Sequence, residues 1–190
     1  ICLAHTQGGE TTGSIDESVR HAITKLAHIH FPATQRSKKY LINMGENPKK
    51  IFNVGCPSMD IINFKKLSKK KLNLNEYGVG HNINLNDPYI VVLFHPDTTE
   101  VLDTKNQIDI LIKSIFEFSE ENNSQVVWFW PNIDAGSDKI SSQLRKFREV
   151  QPNQKIRFIV NLEPEEYLKL IYNTKVIVGN SSSGIREASF

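Results

Sequence analysis

Only two cysteines, Cys2 and Cys56, occur in 190 residues. A disulfide framework needs more, and no Cys/His spacing matches a zinc site, so both read as inert thiols and no metal is expected. Long apolar runs are missing as well. None approaches the ~18 residues of a membrane span, and the N-terminus lacks the charged-then-apolar layout of a secretion signal, so the expected location is the cytoplasm, with no membrane partner. An excess of one charge is also absent: 23 Lys+Arg against 21 Asp+Glu leave a formal +2. The one basic cluster, Lys65-Lys66 with Lys69-Lys70-Lys71, reads as a solvated helix face or linker, and no nucleic-acid partner is expected from it. What remains, with 39% hydrophobic residues, is an ordinary globular composition, enough for one large domain or two small ones. The chain opens without Met on the apolar run Ile1–Ala4 and stops at Phe190 just after a helical pattern has begun, which leads us to expect an internal piece of a longer protein.

Strand and helix patterns alternate along the chain. Ile1 to His5 reads as a strand and Thr6 to Gly13 as a polar, Gly-rich loop. From Ile15, the apolar residues Val19, Ala22, Ile23, Leu26 and Ala27 recur at helical spacing, with Ser14 or Asp16 placed to cap them. His28 to Pro32 reads as a strand, Thr34 to Met44 as a helix stopped by Gly45 and Pro48, Ile51 to Val54 as a strand, and Pro57 to Phe64 as a short helix. The pattern lapses between about Lys65 and Pro88, a segment rich in Asn and Lys that reads as a partly helical link. It resumes with strands at Tyr89–Phe94, Gln125–Trp130, Ile156–Val160 and Lys175–Val178. Helices over Lys105–Glu121, Asp138–Val150 and Glu163–Tyr172 separate them. Such alternation specifies a parallel sheet with crossover helices, an α/β fold in two Rossmann-like units.

In sheets of this kind ligands sit beyond the carboxyl ends of the strands. Polar segments fall at each of those ends: His95-Pro96-Asp97-Thr98-Thr99, Pro131 to Ser137, Asn161-Leu162-Glu163, and Gly179 to Glu187. The last is the most site-like. A β-branched run ends there in Gly179-Asn180-Ser181-Ser182-Ser183-Gly184, and Ile185 to Ser189 begins a helical pattern. Free backbone N–H groups, hydroxyls and a helix dipole would converge on one spot, as a phosphate or polar sugar requires. A serine that merely caps the helix is the plainer alternative. In the first unit, Asp16, Arg20 and His21 share one side of a helix that follows a Gly-rich strand end, where acid/base groups are commonly held.

Taken together, Gly8-Gly9-Glu10, Ile15-Asp16, Ser18 to Leu26, His95-Pro96 with Thr98-Thr99, Pro131 to Ser137, and Gly179-Asn-Ser-Ser with Gly184, Arg186 and Glu187 resemble the UDP-N-acetylglucosamine 2-epimerase family. The resemblance is nearest to its hydrolysing branch, which serves sialic acid synthesis, and it covers nearly the whole chain. It implies a GT-B type fold, with residues 1–64 the C-terminal part of an N-terminal Rossmann-like domain, 65–88 a linker, and 89–190 most of a UDP-binding domain, with the substrate in the cleft between domains. The implied reaction needs no cofactor: elimination of UDP, then addition of water to give N-acetylmannosamine. Carried over by motif, Asp16 is an acid/base carboxylate, Arg20 lies beside it, His95 stands near the diphosphate, Ser181 and Ser182 contact phosphate, Glu187 holds the ribose, and Asn132 and Leu162 line the uridine side. The expected partners are a small-molecule substrate, UDP-N-acetylglucosamine, and further copies of the chain. Gln7 departs from the pattern: it occupies the place of a second catalytic carboxylate, and an amide does not exchange protons near neutral pH as a carboxylate does. That substitution keeps open a silent nucleotide-sugar binder. Three enzyme classes stay open beside it: a GT-B glycosyltransferase, a non-hydrolysing epimerase, and a hydrolysing epimerase of another UDP-amino sugar.

Overall fold

The computed structural model describes residues 1–13, 15–60, 72–97 and 103–189. The chain divides into two compact units, Ile1–Ile61 and Ile62–Phe190.

In the first unit β1 (Ala4–Thr6) and β2 (Ile29–Phe31) pair in parallel, with α1 (Ile15–Leu26) as the crossover. Helix α2 (Gln35–Asn43) starts where its sequence says it should: the Thr34 hydroxyl accepts the Ser37 N–H, satisfying one of the donors that a helix start leaves unpaired. The expected strand at Ile51–Val54 is reduced to a single parallel bridge from Ile51 to His30, with the Phe52 N–H on the His30 carbonyl and the Val54 N–H on that of Pro32. It runs beside β2 without forming a ladder. Ahead of it, Pro48–Lys50 forms a 3₁₀ turn capped by Asn47. Helix α3 covers Pro57–Asp60, and the rest of the expected helix lies outside the described residues.

Helix α1 has the expected period, yet its apolar stripe is not buried. Ile15, Val19 and Leu26 are 64%, 53% and 70% exposed, and the buried side chain is Thr24. The Thr24 hydroxyl bonds the Arg20 carbonyl and lies 3.2 Å from His5 Nδ1, so a polar contact holds this helix on β1.

The second unit contains a five-stranded sheet in the order β3-β6-β5-β4-β7, built from β3 (Val79–Gly80), β4 (Tyr89–Leu93), β5 (Gln125–Phe129), β6 (Ile156–Ile159) and β7 (Val176–Gly179). All pairs are parallel except β3 on β6. Every residue of β4, β5 and β6 is buried, as expected of strands covered on both faces. One face carries Ile90, Val92, Val126, Trp128 and Phe158 against α4 (Thr104–Asn122) and α5 (Ser137–Val150). The other carries Val91, Leu93, Val127 and Phe129 against Leu170 of α6 (Pro164–Asn173) and against Leu74 and Ile83.

Leu74 and Ile83 belong to the segment read from sequence as a link. Between residues 72 and 88 that segment forms a 3₁₀ turn, Leu74–Glu76, and the edge strand β3. Its anchor is Arg157 of β6, a buried guanidinium that donates to the carbonyls of Leu74, Asn75, Tyr77 and His81. A short, Asn-rich stretch therefore folds because one cation satisfies its carbonyls, a signal that lies 76 or more positions away in the sequence. The lysine cluster falls among residues 61–71, outside the described residues. No helix among the described residues is long and apolar enough to cross a membrane.

Candidate nucleotide-sugar site

The strand order fixes where a ligand can enter the second unit. From β4 the chain lays down β5 and β6 on one side, then returns to place β7 on the other side of β4. The loops leaving the carboxyl ends of β4 and β7 therefore part in opposite directions, and this switch point is where open α/β sheets bind ligands. His95 follows β4 there, and Asn180-Ser181-Ser182 follows β7.

The two strand ends are joined tightly. Leu93 pairs with Gly179, whose φ is +141°, and the Asn180 N–H donates to the Leu93 carbonyl at 3.1 Å. The Asn180 side chain then closes a two-point clamp on the His95 backbone. Its Oδ1 accepts the His95 N–H at 2.9 Å and its Nδ2 donates to the His95 carbonyl at 2.8 Å. On the β5 side, the Asn132 N–H donates to His95 Nδ1 at 3.3 Å. Burial lowers the His95 pKa, and Asp134 pulls it part of the way back.

The turn after β7 uses its three serines differently. The Ser181 Oγ accepts the Ser183 N–H and caps the 3₁₀ turn Ser182–Gly184, which is the role the plainer sequence reading gave to a serine here. A hydroxyl that accepts from within keeps its own O–H to donate outward. Ser183 is buried and hydrogen-bonds the Tyr167 hydroxyl, so it belongs to the scaffold. Ser182 is exposed. The N–H groups of Ser181 and Ser182 carry no hydrogen bond among the described residues, leaving donors for an anion. Glu187 is half-buried near Tyr167, whose phenol pKa is raised by burial first and by the Glu187 charge in addition, against the lowering effect of the Ser183 hydrogen bond. Where a helical pattern was expected to begin, Ile185–Ser189 is a run of turns, with the Arg186 N–H on the Ser182 carbonyl and the Ala188 N–H on that of Ser183. Asn132 is exposed beside His95. The Leu162 side chain is spent on the core at 6% exposure, so a ligand contact from that position would come from its main chain. Thr98 and Thr99 lie outside the described residues.

The candidate residues of the first unit gather around the loop from β1 to α1. Gln7 is one of two non-glycine residues with positive φ, +58°, among those described. Its backbone N–H donates to the Phe31 carbonyl at the end of β2, and its Nε2 to the Cys56 sulfur, just ahead of α3, at 3.2 Å. Asp16 and Arg20 both lie on α1, four residues apart, but they form no ion pair with each other. Asp16 is exposed, while Arg20 donates to the Glu10 carbonyl at 3.0 Å. The carboxylate that works on this loop is Glu17, which accepts the Thr12 and Gly13 N–H groups at 2.7 Å each. Those bonds hold its pKa below the usual range. Sequence spacing could have suggested it, since an acid three positions after a helix cap reaches back to loop N–H groups. Ser14, expected as the cap in alternative to Asp16, lies outside the described residues.

The sequence profile of the UDP-N-acetylglucosamine 2-epimerase family matches residues 1–190. The chain belongs to that family. It is 35% identical over 189 residues to the UDP-N,N'-diacetylbacillosamine 2-epimerase (hydrolyzing) of Legionella pneumophila, a match covering 100% of this chain and 47% of that protein. To the polysialic acid biosynthesis protein P7 of Escherichia coli it is 34% identical, over 98% of this chain and 46% of that protein. The chain thus spans about half the length of the curated relatives it matches. The UDP-GlcNAc 2-epimerase of Methanocaldococcus jannaschii, solved in complex with UDP-GlcNAc and UDP, superposes with a TM-score of 0.72 at 22% identity, covering 99% of this chain and 51% of that one. The fold is α/β, of the GT-B type to which these enzymes belong.

Proposed function

We propose that the protein carrying this chain is a hydrolysing UDP-N-acetylglucosamine 2-epimerase, releasing UDP and N-acetylmannosamine. Within this reading residues 1–64 complete an N-terminal Rossmann-like domain, residues 89–190 bind the UDP moiety, and the enzyme is a cytoplasmic homo-oligomer. The observation that carries it is the switch point of the second unit, where Asn180 ties the strand end bearing His95 to the turn bearing Ser181 and Ser182 in a chain of this family.

The chemistry divides accordingly. UDP departs from C1 as the C2 proton is removed, so the site must stabilise charge growing on the diphosphate, and donors fixed in advance do this most effectively. The His95 ring, with the hydroxyls and backbone N–H groups of Ser181 and Ser182, serves that end; Glu187 would accept from the ribose hydroxyls, and Asn132 with the Leu162 main chain would flank the uracil. Proton transfer at C2 and water addition fall to Asp16, with Arg20 supporting the loop and Gln7 in the place of a second acid/base group. A second reading has specific support: the 35% identical relative is named for a diacetamido sugar, so a UDP-diacetamido-trideoxyhexose is the competing substrate.

The test is to offer the full-length protein each UDP-sugar without an acceptor. Free N-acetylmannosamine with UDP supports the first reading, and free diacetamido sugar the second. Retention of the nucleotide on the 2-epimer would identify a non-hydrolysing enzyme. Glu187→Ala should weaken UDP binding by roughly 1–3 kcal/mol, the scale of a hydrogen bond to a charged group, as read by calorimetry. Unchanged UDP affinity would remove Glu187 from the site.

A further inference from the structure

We propose that Asn180 and the Asn132 N–H together lock His95 as its Nε2–H tautomer, so that this side chain meets the ligand as a neutral hydrogen-bond donor for a diphosphate oxygen and Asn180 is its positioning residue. The choice of ligand oxygen rests on the reading above; the tautomer does not.

The argument begins with an obligatory donor. A backbone N–H can only donate, so the Asn132 N–H at 3.3 Å from Nδ1 requires a lone pair on that nitrogen. In a neutral imidazole the hydrogen then resides on Nε2, which has no hydrogen-bond partner among the described residues. Protonating the ring would set an Nδ1–H against the Asn132 N–H, two donors facing each other. Burial disfavours the cation further, and of the charged groups around it Asp134 acts in the opposite sense.

The ring can hold this contact only if its backbone is fixed. β4 ends at Leu93, so no ladder bond reaches His95. The Asn180 carboxamide replaces the ladder, taking the His95 N–H and donating to its carbonyl as a neighbouring strand would. Asn180 is itself held by its N–H on the Leu93 carbonyl. The orientation of His95 is thus set from β7, across the switch point, before any ligand arrives. A neutral donor fits a leaving diphosphate: charge growing on the oxygen strengthens the hydrogen bond, and no proton has to be transferred.

The experiment uses full-length protein labelled with ¹⁵N-histidine, and two-bond ¹⁵N–¹H correlation spectra recorded near neutral pH without nucleotide. The His95 signal is identified by its loss in His95→Gln. The expected pattern is an unprotonated Nδ1 with a protonated Nε2; the reverse pattern, or a doubly protonated ring, overturns the proposal. Asn180→Ala should give a mixture of tautomers and lower kcat at least about tenfold, a part of the 10²–10³ that losing one such donor costs, with the Kd for UDP within about twofold. Asn180→Asp keeps the acceptor for the His95 N–H and should recover part of that loss; it also supplies the comparison if the alanine variant does not fold. An Asn180 variant that folds with the tautomer and kcat of the parent overturns the positioning role. Because the spectra need no substrate, a protein that turns over neither UDP-sugar refutes the reaction and leaves the tautomer result standing.

Discussion

Gly179 is the residue at which fold and site are most directly coupled, and replacing it with alanine has a calculable cost. At φ +141° the backbone lies in a region that L side chains rarely adopt, which contributes about 1–3 kcal/mol of strain. The added Cβ would also stand 1.9 Å from the Leu93 carbonyl oxygen and 2.5 Å from its carbon. Both are backbone atoms of β4, so no side chain can rotate away; the strands must part by about 1 Å to reach even the 3.0 Å that real Cβ contacts respect. Parting them breaks the Asn180 N–H bond to Leu93 and strains the clamp on His95, each hydrogen bond being worth about 1 kcal/mol net. The total is roughly 3–5 kcal/mol, which for a chain of this size lowers Tm by on the order of 10 °C. Gly13→Ala is the control. It also has a positive φ, +69°, but nothing lies within 4 Å of the added Cβ, so only the conformational cost of about 1 kcal/mol applies. Thermal unfolding by circular dichroism, with UDP calorimetry on the folded fraction, should separate the two variants by several degrees and show weakened UDP binding in Gly179→Ala alone. Equal Tm losses would refute the claim that close approach of β4 and β7 sets this position.

Two further outcomes concern the first unit. Gln7→Glu should raise the rate of free-sugar release at least about tenfold with UDP affinity little changed, a floor set below the roughly 10²–10⁴ that a well-placed proton-transfer group contributes; a fall in activity would show that the amide bonded to Cys56 is part of the working arrangement. Glu17 has a folded-state pKa below its ordinary value of 4.5, so its hold on the Thr12 and Gly13 amides is complete above that pH and is lost as pH falls through the depressed value. Amide shifts of Thr12 and Gly13 followed by NMR should titrate below pH 4.5, and in Glu17→Gln that titration should vanish; its persistence would mean that another group controls the loop.

The elements of the second unit were legible because their driving force is local. Ile90–Leu93 and Val126–Phe129 are apolar throughout, and strands buried on both faces need that whatever their neighbours are. Thr34 announces α2 for the same reason, since a cap bonds a donor three residues away. The candidate site was legible as a set of polar strand ends, and the structure joins two of them at the switch between β4 and β7.

Three features the sequence did not show share one cause: a polar side chain's partner was decided by tertiary geometry. Helical period placed Asp16 beside Arg20, but period describes only where side chains leave the helix; the loop carbonyl of Glu10 took the guanidinium, and Glu17 took the loop amides. The stretch around Val79 has no strand period, and it becomes a strand because Arg157 gathers its carbonyls onto the edge of β6. Asn180 reads in the sequence as one letter of a serine-rich turn. Its importance lies in a carboxamide that satisfies both backbone groups of His95, a residue 85 positions earlier, and no local pattern encodes that. Apolar periodicity therefore tells where the chain will be buried. Which polar group orients the working side chain depends on which strand ends the topology brings together, and here the return of β7 to the side of β4 is the step that turns two ordinary loops into one candidate site.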